Sequence, residues 1–158
     1  MRISYEWLGS MVDLPADPKV LYRELIRTGT EVETIERVGA DLDHVVVGQV
    51  VSKQPHPDSD HMWLCKVSVG ARNVDADGNP VPLQIVCGAQ NFEEGDKIVV
   101  AMIGAVLPGD LKIKKSKLRG VESCGMNCSA RELGLGGDHS GIMILPEDAP
   151  VGMDFAEY

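Results

Sequence analysis

The sequence predicts a mainly β protein: a small barrel or sandwich of short strands, preceded by a small, incomplete α+β appendage. From about residue 41, six or so short β-branched runs follow one another, separated by Gly-, Pro- and Asp-rich turns. The first forty residues carry helix signals and a single strand candidate, too little to fold alone. Strand–helix alternation of the doubly wound kind is absent, as are internal repeats and low-complexity tracts.

Ser4 is placed to cap a short helix carrying Trp7, Leu8 and Met11. Asp17-Pro18 is a second helix start, a capping side chain followed by Pro at the first helical position. Leu21, Leu25 and Ile26 recur on one face, and Thr28-Gly29 supplies the stop. Glu31 to Val38 is a polar strand candidate. Val45 to Val51 is a β-branched strand interrupted by Gly48, which suggests a bulge or a tight bend. Pro55-His56-Pro57-Asp58-Ser59-Asp60 has the composition of a rigid loop, and Met62 to Val69 alternates as a strand. Asp77-Gly78-Asn79-Pro80 forms a hairpin tip leading into Val81 to Cys87. Gly95-Asp96 turns the chain into a strand over Lys97 to Ile103. Met126 to Ser129 and Gly141 to Leu145 are the last strand candidates, with a helical turn or two over Ala130 to Leu135 between them. Asp154 is placed to cap a helix that stops as soon as it starts.

A chain of 158 residues with 44% apolar and 25% charged content is a globular domain with a core of its own. No apolar run approaches the roughly 18 residues of a membrane span. The opening Met1-Arg2-Ile3-Ser4-Tyr5-Glu6 lacks a signal peptide's apolar stretch, so a cytoplasmic location away from membranes is expected. The net charge of −9 excludes non-specific nucleic-acid binding over the whole surface. It conceals a strong asymmetry. From Glu132 to Tyr158 there is no Lys or Arg, whereas Lys112-Ile113-Lys114-Lys115-Ser116-Lys117-Leu118-Arg119 holds five cations in eight residues. On an extended chain Lys112, Lys114 and Ser116 share one face, and Lys115, Lys117 and Arg119 the other. Such a row suits the phosphates of an extended nucleic acid. It also suits a solubilising edge strand, because lysines on an edge block aggregation.

Other chemistries find little support. Cys65 and Cys87 sit in apolar strand-like runs, and Cys124-x3-Cys128 is not a zinc or thioredoxin spacing. His56 and His61 belong to the Pro- and Asp-rich loop rather than to a metal cluster. Gly120 to Ser129 lacks a phosphate-loop signature. A nucleophilic Cys128 or Ser129 would have only His139 as a base. The seven aromatics do not interleave with the lysines, so charge and shape, not base stacking, would dominate any RNA contact.

A longer set of motifs occurs in order: His56-Pro57-Asp58-Ser59-Asp60, Ile85-Val86-Cys87-Gly88-Ala89-Gln90-Asn91, Gly104-Ala105-Val106-Leu107-Pro108-Gly109 and Lys112 to Ser123. Gly125-Met126, Glu132-Leu133-Gly134-Leu135-Gly136, Asp138-His139-Ser140-Gly141-Ile142 and Leu145 to Gly152 follow. Together with Ile3 to Leu8 and Val12-Asp13-Leu14-Pro15, these resemble the N-terminal region of bacterial phenylalanyl-tRNA synthetase β subunits across essentially the whole chain. The resemblance implies an OB-fold (oligonucleotide-binding) tRNA-binding barrel over residues 40–150. It implies that residues 1–39 are the first half of a small α+β domain and that 151–158 begin the return to it. It further implies an (αβ)2 enzyme, with an α subunit as partner, that joins phenylalanine to tRNA with ATP and magnesium. Catalysis is expected outside this chain, whose role would be tRNA binding or, alternatively, assembly with other synthetase domains. A free-standing tRNA-binding protein of similar barrel type would leave residues 1–39 unexplained. Carried over by position, the RNA-binding surface would involve Lys112, Lys114, Lys115, Lys117 and Arg119, then Ser123, Asn127, Ser129 and Arg131. Cys124 falls where the family often has an acidic or small polar residue, and Asn73 to Pro82 reads as an extended hairpin tip.

Overall fold

A computed structural model describes residues 1–37, 39 and 41–158, which fall into two compact units, Met1–Arg37 and Val38–Tyr158. In the first, α1 (Tyr5–Gly9) is capped by Ser4, whose Oγ accepts the Trp7 N–H at 3.3 Å. Helix α2 (Pro18–Arg27) is capped by Asp17, whose Oδ1 accepts the Lys19 N–H at 2.9 Å. Neither helix buries a residue. The strand expected over 31–38 does not form within 31–37, and Val38 lies outside the described residues. A strand is made by its neighbour, and the described residues of this unit offer no second strand.

The second unit contains β1 (Val45–Pro55), β2 (Trp63–Ser68), β3 (Leu83–Cys87), β4 (Lys97–Met102) and β5 (Val106–Leu107). Then come β6 (Leu111–Lys112), β7 (Ser116–Leu118), β8 (Val121–Ser123), β9 (Gly125–Asn127) and β10 (Ile144–Leu145). Strand β1 is long because it serves two partners. Val45 to Gln49 pair with β4, and Gln49 to Pro55 pair with β2, both antiparallel. The register slips between Val50 and Ser52, so the bulge lies beyond Gly48, not at it. Gly48 answers a different need. A Cβ there would lie 2.6 Å from Val100 Cγ2 and 2.9 Å from Val67 Cγ1, because β4 and β2 close in on β1 at this point.

Strand β3 pairs with β2, and β9 and β10 pair with β4. The remaining gap is bridged where the Cys124 N–H donates to the Gln84 carbonyl at 2.7 Å. The sheet thus curls through β1, β2, β3, the β8–β9 segment and β4 into a nearly closed barrel, in agreement with the OB expectation.

Alternate residues of β1 and β4 feed two cores. Val46, Val50, Ile98 and Val100 join Cys65, Val67, Ile85 and Phe92 in one. Val45, Val99 and Ala101 join Ala105, Leu107, Ile113, Cys128 and Leu133 in the other. Both faces of these strands are covered, which is why 45–51 reads as a nearly continuous apolar run. Cys65, Cys87 and Cys128 are buried free thiols, and burial pushes Cys65 and Cys128 up to about 12. The segment over 130–135 is a single irregular turn.

The last eight residues also differ from the expected helix start. The Val47 N–H donates to the Met153 carbonyl at 2.9 Å, and the Gly152 N–H returns to the Val47 carbonyl at 2.8 Å. Only one 3-10 turn follows, over Phe155–Glu157. Asp154 does not cap it; its carboxylate pairs with Arg72 at 2.8 Å.

Gly48→Ala is expected to lower stability by about 1–3 kcal/mol, the usual cost of forcing an extra carbon into a packed interior. Urea denaturation with an unchanged m-value would measure it.

Candidate nucleic-acid interface

The basic run is positioned by the one residue in it that is buried. Ile113 is buried in the second core, and its backbone is held on both sides. Its N–H donates to the Ala105 carbonyl at 2.8 Å, and its carbonyl accepts the Gly104 N–H at 2.9 Å. With Ile113 turned inward, Lys112 and Lys114 on either side stand exposed.

The run is not the single extended strand that its parity suggests. Lys112 ends the β5–β6 ribbon, opposite Val106, and Lys114 and Lys115 lie in the connection beyond it. Lys117 sits in the middle of β7, opposite Glu122 of β8. Arg119 and Gly120 form the two-residue turn of this second ribbon, with φ of 49° and 83°. Two positive φ values are what a tight hairpin turn matching the strand twist requires. Gly adopts them freely; Arg does so only when held. Its guanidinium Nη1 donates to the Asp58 carbonyl at 3.0 Å, in the loop after β1.

All five cations are exposed, but they are not equivalent. The Lys115 ammonium lies 3.1 Å from the Glu122 carboxylate. Hydrogen bonding to Glu122, and then its charge, raise the Lys115 pKa above the ordinary value. Among the described residues, no carboxylate stands within ion-pair reach of Lys112, Lys114 or Lys117. These three are the cations most available to an anionic partner.

Of the remaining candidates, Arg131 is exposed, and Ser123, Asn127 and Ser129 are buried. Ser123 Oγ accepts the Val86 N–H at 3.0 Å and donates to the Gly125 carbonyl at 3.1 Å, helping to close the barrel between β3 and β8. Asn127 lies beside the Cys87 thiol. Ser129 and Glu132 form a reciprocal capping box: the Ser129 N–H reaches Glu132 Oε2 at 2.6 Å, and the Glu132 N–H reaches Ser129 Oγ at 3.4 Å. The structure therefore places the cations on its surface and uses Ser123 and Ser129 as framework, while Asn127 is buried with neither amide atom hydrogen-bonded among the described residues.

A separate open cleft of about 590 Å3 is lined by Lys53, Trp63, Gln90, Glu93 and Glu94. Its one cation is already engaged. Lys53 Nζ lies over the Trp63 ring at 4.4 Å and the Phe92 ring at 4.7 Å, and 3.2 Å from Glu93. With two carboxylates on the wall, the cleft does not suit a phosphate. Among the described residues, no group of three or more His, Cys, Asp or Glu is placed to hold a metal ion. There is also no Gly-Lys-Ser/Thr phosphate loop.

Unpaired cations on short ribbons, anchored to a nearly closed β barrel, form a surface that suits the backbone of a polyanion. A protein-family model described as "Putative tRNA binding domain" matches residues 45–154. The chain belongs to this tRNA-binding domain family, whose match covers the barrel and both ribbons. It is also 51% identical, over all its 158 residues, to 19% of the phenylalanine–tRNA ligase β subunit of Fusobacterium nucleatum. Against the β subunit of Bdellovibrio bacteriovorus it is 49% identical over its full length, again spanning 19% of that protein. The chain thus spans about a fifth of the length of these relatives. Among solved structures, the C-terminal domain of Plasmodium vivax p43 superposes with a TM-score of 0.46 and 23% identity, covering 68% of this chain and 56% of that one.

Sequence reasoning found the cations from their density. It missed His56, whose ring joins the loop after β1 to the second ribbon by a hydrogen bond of 2.9 Å to the Leu118 carbonyl. Its place between two prolines was the available signal: both prolines stiffen the backbone of the loop, and the ring's own bonds to Leu118 and Asp58 fix its pose.

Ser123→Ala is expected to cost about 1–3 kcal/mol, because it strips the buried Val86 N–H of its partner. A lowered unfolding midpoint with the cation ribbons unaltered would show the residue to be framework.

Proposed function

We propose that this domain is a non-catalytic tRNA-holding module of a phenylalanine–tRNA ligase β subunit. The backbone phosphates would be met by Lys112, Lys114 and Lys117, with Lys115, Arg119 and Arg131 as secondary contacts. The supporting observation is the set of three exposed, unpaired lysines on either side of the buried Ile113, on a chain of net charge −9. Concentrating the positive charge gives one region of the surface an attractive field and leaves the rest repulsive, so binding is oriented. In the whole enzyme, the α subunit is the partner, and ATP and magnesium act on parts of the assembly beyond this chain.

A second reading has its own observation. Ile103, Val106, Leu111 and Leu118 are each at least 40% exposed, and they lie in or beside the same ribbons. An amphipathic surface of this kind also suits packing against another domain of the synthetase, with the lysines as its rim. The two readings separate by salt. For three to five neutralised phosphates, binding of unfractionated bacterial tRNA should weaken with a log–log salt slope of about −2 to −4. Lys112→Ala, Lys114→Ala and Lys117→Ala combined should flatten the slope and leave the fold intact. Absence of binding even at low salt would overturn the tRNA role and favour assembly.

A further inference from the structure

His56 is 3% exposed and is bonded on both sides of its ring. Nδ1 accepts the Asp58 N–H at 3.0 Å, which fixes the neutral tautomer with its proton on Nε2. Nε2–H then donates to the Leu118 carbonyl at 2.9 Å, across 62 residues of chain. Leu118 is the last residue before the Arg119-Gly120 turn, and Arg119 donates back to the Asp58 carbonyl at 3.0 Å. Together the two long-range bonds clamp the tip of the β7–β8 ribbon to the loop at the end of β1. Beyond β7–β8 pairing itself, both act on the turn that holds Arg119 in a left-handed conformation at φ 49°. Strands β7 and β8 are three residues each. The base of the ribbon is tied to β3, where Gln84 Nε2 donates to the Glu122 carbonyl at 2.9 Å and the Val86 N–H to Ser123 Oγ at 3.0 Å. The tip, with Leu118 and Arg119, depends on the two bonds to the loop after β1, because so short a ribbon does not hold its own shape in water.

We infer that His56 is a positioning residue for RNA binding: it touches no RNA, but presets the β7–β8 ribbon so that Lys117 and Arg119 are presented in one pose. This rests on the tRNA-holding reading above. A ribbon already posed pays no ordering cost on binding, and one that is posed only part of the time binds more weakly by that fraction.

The test uses the 158-residue chain and two substitutions. His56→Leu keeps bulk and removes both hydrogen bonds; His56→Gln keeps an amide donor for the Leu118 carbonyl. Amide exchange over residues 116–123, thermal unfolding and tRNA affinity across a salt series would be measured for each. His56→Leu is expected to exchange faster in the ribbon while β1 and β4 stay protected. It should bind tRNA about tenfold more weakly, a ribbon posed roughly a tenth of the time, with an unchanged salt slope. His56→Gln should recover most of that loss. Lys117→Ala, a direct phosphate contact, should instead reduce the slope by about one and leave exchange alone. Unchanged affinity in His56→Leu, or a loss that brings a smaller slope, would overturn the inference while the tRNA-holding reading stands. If His56→Leu does not fold, a tenfold loss in a folded His56→Gln would overturn it as well. Failure of the unmodified chain to bind tRNA would overturn both.

Discussion

The barrel depends on one strand bonded along both edges. β1 gives its first half to β4 and its second half to β2, with Gln49 paired to both. A strand that changes partners midway has to bend, and the slip between Val50 and Ser52 takes up that bend. Everything else follows from the curl this imposes. β2 and β3 roll up one wall, β4 and β9 the other, and the Cys124–Gln84 bond meets them at the seam. Gly48 lies where the two neighbours press closest, so a missing side chain is part of the geometry.

The same constraint determines where the charge goes. Because β1 and β4 are covered on both faces, the second core needs a lid beyond the barrel wall, and Ile113 is part of it. Buried Ile113 holds the start of the basic run against the β5–β6 side, and the β7–β8 ribbon is held by the bonds from His56, Arg119 and Gln84. The cost of bringing five like charges together on the surface is reduced where Glu122 pairs with Lys115. It is reduced again where Arg119 spends one hydrogen bond on the Asp58 carbonyl. Among the described residues no ion pair engages Lys112, Lys114 or Lys117, which supports the proposed attraction of phosphate.

What was legible in the sequence was local. Ser4 and Asp17 announce their helices because a cap acts on N–H groups two or three residues away. The hairpin around Gly78 is equally self-contained, with the Asp75 carboxylate accepting the Asp77 and Asn79 N–H groups at 2.9 Å each. The strand expected over 31–38 does not form within 31–37, because a strand requires a pairing neighbour that a local polar pattern does not supply. Ser123, Asn127 and Ser129 are candidates carried over by position from the resemblance, and they are buried because burial is decided by the closing of the barrel, which no pattern within ten residues encodes. The family resemblance supplied the OB topology, and the pattern of short strands alone left barrel and sandwich undivided. His56 was read correctly as part of a rigid loop, but its bond to Leu118 spans a separation that local composition does not report.

In the proposed role, tRNA meets the ribbons and leaves the barrel as a rigid support. Amide chemical shifts of the isotope-labelled chain, followed during titration with tRNA, test it most directly. The account predicts the largest shifts between Lys112 and Arg119, with Val45 to Val50 and Ile98 to Ala101 unmoved. Shifts concentrated in the acidic stretch from Glu132 to Tyr158, with the ribbons silent, would contradict it.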